Sequence, residues 1–285
     1  MPQVEQAGPT RRYQRRGLHG EVVDTIGRRI TSGAYRPGDQ LLCEQLEGDL
    51  GVSQTVIREA LKVLAAKGLV EPRPKRGTVV SPREVWSLLD PDLLYWQSTE
   101  EPGAAFLQDL AEVRFIIEPE GARLAAQRRS PADIEAIEAA LVAMAKTGER
   151  PGGVRPNEVV EADLAFHRAL LAAAHNELLS RMEPVIEAGL RVRDQLVHRG
   201  GRGADALAEH EAVAEAVRAG DAEAAALGAR RLLQRAVDDT ASLLERQAAP
   251  PRKRRSSGQR GKAEARPATS MSASTRPLRT ERPRA

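Results

Sequence analysis

The sequence has little of several features that mark other classes of protein. Aromatic residues make up only 3% of the 285 residues, so leucine, alanine, valine and isoleucine must fill the interior, as in helix-on-helix packing. The single cysteine, Cys43, excludes a disulfide framework and argues against a thiolate zinc cluster. No apolar run reaches the ~18 residues of a membrane span, and the first residues have no apolar signal-peptide core. A reducing cytoplasm is therefore the expected location.

Charge divides the chain into three parts. Residues 1–80 hold 13 Lys and Arg against 9 Asp and Glu, residues 81–247 hold 19 against 29, and residues 248–285 hold 11 against 2. The net charges of +4, −10 and +9 indicate a mildly basic head, an acidic body and a strongly basic tail. Basic ends favour a polyanionic partner such as DNA, because contacts with phosphates release bound counterions.

Periodicity and turn residues predict a mainly α-helical protein with two domains. Residues 17–81 are expected to form a winged helix-turn-helix, and residues 103–247 an antiparallel α-helical bundle. Residues 1–16 and 248–285, which are basic and poor in hydrophobic residues, are predicted to be disordered. The connector, residues 82–102, contains both tryptophans, so we expect it to pack on the bundle.

The head has the pattern of two short helices followed by a basic β-wing. A helix is predicted over residues 43–50, and a second helix follows Ser53, its candidate N-cap. Residues 69–71 and 77–80 are predicted to be short strands. The tip between the strands contains Arg73, Lys75 and Arg76.

The second helix of such a motif enters the major groove with its N-terminal residues against base edges. Those residues are Ser53, Gln54 and Thr55. Arg58 lies one turn later on the same face, within reach of a guanine or a phosphate. A serine-capped helix with one arginine is also common on protein surfaces, but the wing and the connector favour DNA binding.

The head resembles the GntR family of regulators over residues 18–81. The matching residues are Gly33, Pro37, Gly38, Leu42, Glu44, Leu46, Gly51, Val52, Ser53, Ile57, Arg58, Glu59, Ala60, Leu61, Leu64, Gly68, Leu69, Val70, Arg76 and Gly77. The resemblance implies that Glu44 caps the first helix of the motif, that Arg58 contacts DNA and that Gly77 shapes the wing. Gln54 stands where the family usually has arginine. Because glutamine suits adenine and arginine suits guanine, this change puts the usual base preference in doubt.

Polar residues interrupt the apolar faces of three predicted helices in the body. Asp163 and His167 lie four residues apart and point the same way, a spacing that can chelate a divalent cation. His210 and Arg114 lie on other inward faces. Each has an ordinary structural explanation, such as a hydrogen-bonded core histidine or a surface Arg114–Glu118 bridge. Burying all of these groups without a ligand or mutual partners would be costly, which favours a binding site.

The body also resembles the helical ligand-binding domain of the FadR-type branch, known as the FCD domain, over residues 103–245. The matching pieces are Glu112-Val113-Arg114, Glu118-Pro119, Asp163 to Leu170, Asn176 and Glu209-His210. In that family an aspartate and three histidines bind a metal, often zinc or nickel, which holds a carboxylate effector. The resemblance assigns three ligands to Asp163, His167 and His210 and places the fourth at Leu232, which cannot bind a metal. The site is then either a weaker three-ligand centre or free of metal.

The connector contains the two short runs Trp86 to Asp90 and Leu93 to Trp96. Within that branch, these runs resemble regulators of galactonate use. The resemblance implies a repressor that a sugar acid such as D-galactonate releases from DNA, with Arg114 binding its carboxylate. Other open readings are a response to another hydroxy acid, a direct metal sensor and, more remotely, an enzyme with a facial metal triad. We also expect a homodimer on a short palindromic operator.

Overall fold

The computed structural model describes residues 17–99, 102–148, 156–200 and 206–248. The head consists of α1 (Leu18–Thr31), β1 (Gln40–Leu41), α2 (Cys43–Leu50), α3 (Gln54–Ala66), β2 (Val70–Arg73) and β3 (Gly77–Val80). The three strands form an antiparallel sheet in the order β1-β3-β2, with Gln40 opposite Val79 and Val70 opposite Val80. The winged helix-turn-helix is confirmed, and β1 is a strand that the sequence pattern did not predict.

The turn of the motif depends on one glycine. Gly51 ends α2 in the left-handed conformation, at φ 64°, where a residue with a Cβ atom would be strained. The chain then re-enters a helix after Ser53, which has the extended backbone of an N-cap. Ile57 and Leu64 of α3 are completely buried and pack with Ile26 of α1, so the core fixes the position of the recognition helix.

The connector packs on the head more than expected. It forms a short 3-10 helix, Arg83–Val85, and α4 (Pro91–Thr99). The expectation that the connector packs on the bundle holds for one face of α4, which contacts α9, but Trp86 and Trp96 both belong to the core of the head. Trp96 fits against Gly27 of α1, and its indole Nε1 donates to Asp24 at 2.7 Å. On the other side of α4, Leu94 packs with residues of the body, so the connector joins the two domains.

The body is built from helices throughout its described part. The helices are α5 (Ala104–Arg128), α6 (Pro131–Gly148), α7 (Pro156–Ala173), α8 (Glu177–Ser180), α9 (Glu183–Gly200), α10 (Ala206–Ala219) and α11 (Ala222–Ala248). Small side chains of α5, including Ala122 and Ala125, pack around Phe166 of α7. None of the described helices is long and apolar enough to cross a membrane.

One predicted helix of the body is divided. The apolar spacing of residues 177–198 is typical of a single helix, but α8 ends at Ser180 and α9 begins at Glu183. Pro184 explains the break, because a proline inside a continuous helix has no N–H to donate and clashes with the preceding turn. The predicted disordered segment of residues 1–16 lies outside the described residues, and so does the predicted tail of residues 248–285 except for Ala248, which ends α11.

Candidate DNA-reading face and buried ligand site

The recognition helix α3 has one buried and one exposed face. Ile57 and Leu61 are buried, whereas Ser53, Thr55 and Arg58 are exposed to solvent. This division follows from the apolar spacing of the helix, which directs the polar residues away from the core. The structure therefore leaves the side chain of Arg58 accessible at the start of α3.

Two residues of the motif have contacts that differ from expectation. The side-chain amide of Gln54 donates from Nε2 to Oε2 of Glu47 on α2, at 2.9 Å. Gln54 is thus partly engaged within the protein. The N-cap of α2 is Leu42, without a side-chain cap, and the capping role expected for Glu44 is wrong. Glu44 instead lies in the first helical turn, where a negative charge favours the positive end of the helix dipole.

The wing presents its basic residues to solvent. Arg73, Lys75, Arg76 and Gly77 are all exposed. Lys75 and Gly77 have φ angles of 63° and 72°, which close the tight turn between β2 and β3. The side chain of Gln40 from β1 donates to the carbonyl of Arg76 and supports the turn. The tip is therefore a supported, positively charged projection from the head.

The three predicted metal ligands meet in the body. Asp163 and His167 lie on α7 and His210 lies on α10, and all three residues are buried. Oδ1 of Asp163 lies 3.3 Å from Nε2 of His167 and 3.1 Å from Nε2 of His210. The ring of Phe166 contacts both imidazoles edge-on, with centroid distances of 5.6 Å and 4.8 Å. Both imidazole rings are thus packed against an aromatic neighbour beside the carboxylate.

The two distances from Oδ1 of Asp163 fit a shared cation. Ligand atoms that each lie about 2.0–2.2 Å from one ion stand roughly 3–3.5 Å apart. The three ligand atoms all lie within 4.8 Å of one another. Two imidazole nitrogens and one carboxylate oxygen are donors that suit zinc or nickel. Within the described part of the chain this cluster has three ligands, and Leu232 is a buried residue of α11.

Helix α5 adds a buried ion pair to the cluster. Arg114 and Glu118 are 7% and 2% exposed, and the guanidinium Nε of Arg114 donates to Oε1 of Glu118. Oε2 of Glu118 lies 2.9 Å from Nδ1 of His167, out of line for a hydrogen bond. The ion pair between Arg114 and Glu118 that the sequence suggested is therefore present. It is buried rather than on the surface, and Glu118 also lies next to the predicted metal ligand His167.

The charges in this cluster stabilise one another. Burial alone would raise the pKa of Glu118, but Arg114 and His167 outweigh it and lower that pKa to about 2. Burial opposes protonation of His167, yet the carboxylates of Glu118 and Asp163 raise its pKa to about 9. Burial likewise opposes ionisation of Asp163, and its two histidine partners hold its pKa well below the ordinary value. Without a cation, His167 carries the positive charge between two carboxylates.

A cavity of about 500 Å³ lies beside Arg114, between α5, α9 and α11. Apolar side chains such as Phe115 and Leu233 line most of it, and Gln108 and Glu112 are further polar residues in its wall. Gly189 of α9 allows the guanidinium to pack closely, since a Cβ atom there would lie 2.5 Å from Nη1 of Arg114. Neither Gly189 nor the contact between Glu118 and His167 was predicted, because both depend on helices that are distant in the sequence.

Comparisons with known proteins identify both domains. The family model described as "Bacterial regulatory proteins, gntR family" matches residues 18–80. The model described as "FCD domain" matches residues 109–256. Both models therefore cover the domains in which the candidate sites lie.

Individual relatives are transcriptional regulators. The galactonate operon transcriptional repressor of Escherichia coli (strain K12) is 33% identical over 207 residues, which make up 72% of this chain and 88% of that protein. The Glc operon transcriptional activator of the same strain is 32% identical over 171 residues, 58% of this chain and 64% of that protein. The two family models and these relatives describe transcriptional regulators. They exclude the metal-dependent enzyme that Asp163, His167 and His210 alone left as an alternative.

A solved structure has the same fold. It is described by the words "Lar controls the expression of the Listeria monocytogenes agr system and mediates virulence", and it matches with a TM-score of 0.59 at 17% identity. The match covers 82% of this chain and 100% of that chain. The chain belongs to the GntR family of bacterial transcriptional regulators and carries an effector-binding FCD domain after its winged helix-turn-helix.

Proposed function

We propose that this regulator is a repressor that a small hydroxy-carboxylate releases from its operator. The proposal rests on the buried cluster of Asp163, His167 and His210. Arg114 is connected to this cluster through Glu118, which contacts both Arg114 and His167. One helical domain thus contains both the side chains proposed to bind a divalent cation and the Arg114 guanidinium proposed to bind a carboxylate. D-Galactonate is the first candidate effector, since a relative with 33% identity is a galactonate operon repressor.

The donor set explains why a hydroxy acid suits the site. A divalent ion held by these three residues would supply open coordination positions for carboxylate and hydroxyl oxygens. Leu232 provides no fourth ligand, so Asp163, His167 and His210 should hold the ion weakly when no effector is present. By linkage, an effector that adds donors raises the affinity for the ion, and the ion raises the affinity for the effector by the same factor.

Arg114 is the proposed contact for the effector carboxylate. A guanidinium carries several N–H donors in a planar fork, and Glu118 accepts from Nε. Arg114 also lines the cavity between α5, α9 and α11, which offers space for the rest of the molecule. Substitution by alanine should weaken the response to effector and leave DNA binding intact, because the head is built from other residues.

On the DNA side, we assign contacts to the exposed start of α3, to the wing and to Glu44 in the first turn of α2. The proposed residues are Glu44, Ser53, Gln54, Thr55, Arg58, Arg73, Lys75, Arg76 and Gly77. A single small head makes few contacts, so we propose a homodimer whose two heads read the halves of a short palindrome.

A thermal-shift screen of sugar acids and hydroxy acids, each with and without zinc, tests the effector proposal. A ligand at ~100 times its dissociation constant adds about 2.7 kcal/mol to the free energy of unfolding, which is easily measured. We expect D-galactonate or a related hydroxy acid to stabilise the protein, and more strongly with zinc. Stabilisation by zinc alone, with no acid active, would instead identify a direct metal sensor.

A further inference from the structure

Glu118 is a buried carboxylate with two different partners. Its Oε1 accepts from Arg114, which lines the cavity, and its Oε2 lies 2.9 Å from Nδ1 of His167. The other ring nitrogen of His167, Nε2, lies 3.3 Å from Asp163. Glu118 therefore stands between the residue proposed to bind a carboxylate and a residue proposed to bind a cation.

This position has a chemical consequence for His167. When a histidine binds a metal through one ring nitrogen, the other carries the proton and contacts a carboxylate or carbonyl that orients the ring. The carboxylate of Glu118 favours the proton on Nδ1, and Nε2 is then the nitrogen available beside Asp163 and His210. Removing such an outer partner typically costs about 10- to 100-fold in metal affinity.

We propose that Glu118 is a positioning residue that holds His167 in the orientation and tautomer needed for a divalent cation and links this ligand to Arg114. The inference rests on the proposed function of the buried cluster, and it adds a residue that coordinates neither ion nor effector. Any movement of Arg114 toward a bound carboxylate would also change the contact between Glu118 and His167. The two halves of the site are thereby coupled within one helical turn of α5.

Cobalt binding to the full chain tests this role. Co²⁺ serves as the probe because its visible spectrum reports the geometry of its ligands. The affinity for Co²⁺ should fall by about 10- to 100-fold in Glu118→Gln relative to the unmodified protein. The matched control is Glu120→Gln, the same change on the same helix at an exposed carboxylate that pairs with Arg123, and its affinity should not change.

A second pair of variants separates positioning from stability. Glu118→Gln leaves Arg114 as a buried charge without its partner, which can prevent folding. Arg114→Met keeps the carboxylate next to His167, and Arg114→Met combined with Glu118→Gln removes both charges. We expect Arg114→Met alone to bind Co²⁺ more tightly than the double variant, because only the single variant keeps a carboxylate beside His167. The double variant should bind Co²⁺ more weakly, with a changed spectrum.

Proton NMR of the Co²⁺ form gives a signature that a purely structural role would not move. The Nδ1–H proton of a Co²⁺-bound His167 should give a paramagnetically shifted signal in the unmodified protein, and this shift should change when the neighbouring carboxylate of Glu118 is replaced. Equal Co²⁺ affinity in Arg114→Met and the double variant would overturn the role of Glu118 while leaving the metal site intact. Failure of the unmodified protein to bind Co²⁺ would overturn the metal site itself, and this role with it.

Discussion

The contact between the head and the connector gives a sharp test of the packing. Gly27 lies in the middle of α1 and faces the indole of Trp96 from α4. A Cβ atom at Gly27 would lie 2.4 Å from two ring atoms of Trp96 and 2.7 Å from a third. The ring is rigid and only 1% exposed, so it cannot turn aside within the core. Gly27→Ala must therefore displace Trp96 or the helix that carries it.

Gly48 provides a matched control. It also lies inside a helix of the head, α2, but a Cβ atom at Gly48 would meet nothing within 4 Å. Alanine is a better helix former than glycine, so Gly48→Ala should raise the free energy of unfolding by about 0.5–1 kcal/mol. Gly27→Ala gains the same amount but overpacks the core, at a cost of about 1–3 kcal/mol. It also strains the hydrogen bond between Trp96 and Asp24, which contributes about 1 kcal/mol.

We therefore expect Gly27→Ala to destabilise the head by about 1–3 kcal/mol, and the two variants to differ by about 2–4 kcal/mol. Intrinsic tryptophan fluorescence is the appropriate assay, because both tryptophans of the chain lie in the core of the head. In thermal unfolding, Gly27→Ala should lower the head's transition by roughly 10 °C, whereas Gly48→Ala should raise it slightly. A transition for Gly27→Ala at or above that of Gly48→Ala would refute the packing of Trp96 against α1.

Three further predictions concern DNA binding and acid stability. Arg58→Ala should weaken specific DNA binding by about 1–3 kcal/mol with unchanged unfolding, and unchanged affinity in a gel shift would remove Arg58 from the reading face. Truncation after Ala248 should flatten the salt dependence of DNA affinity with little loss of specificity, because the removed segment is strongly basic; a loss of operator selectivity would show that it recognises bases. Asp133 exchanges hydrogen bonds with Ser130 at the start of α6, and although burial opposes its ionisation, these bonds and His175 lower its pKa. A lowered pKa means that ionised Asp133 stabilises the fold above the unfolded-state pKa. The difference in melting temperature between the unmodified protein and Asp133→Ala should therefore shrink below about pH 4; a difference that does not shrink at lower pH would contradict the capping role.

Local sequence patterns predicted which residues form the site, but they did not predict the contacts between those residues. The spacing of apolar residues placed Asp163, His167 and His210 on inward faces, and the structure buries all three. The same reasoning predicted that Arg58 is exposed on α3, as observed. Periodicity works here because each statement concerns one helix and its own faces. It could not show that Glu118 reaches His167, since that contact joins residues on different helices.

Other differences arise from tertiary contacts and from single residues. β1 has only two residues and is defined by pairing with β3, so no alternating pattern could reveal it. Trp96 is drawn into the head because Gly27 leaves room for an indole, a complementarity that composition does not show. Pro184 was a local signal for the break between α8 and α9, but the longer apolar pattern concealed it.

Release of DNA by hydroxy acids, measured with and without metal, tests the central claim most directly. DNA that binds the protein would first be selected from a random pool, and fluorescence anisotropy would then follow its release. Chelator-treated and zinc-loaded protein would each be titrated with D-galactonate and with related hydroxy acids. We predict that an active acid releases the DNA at a lower concentration when the protein is zinc-loaded. Release at the same concentration in both states would contradict a cation shared by Asp163, His167 and His210.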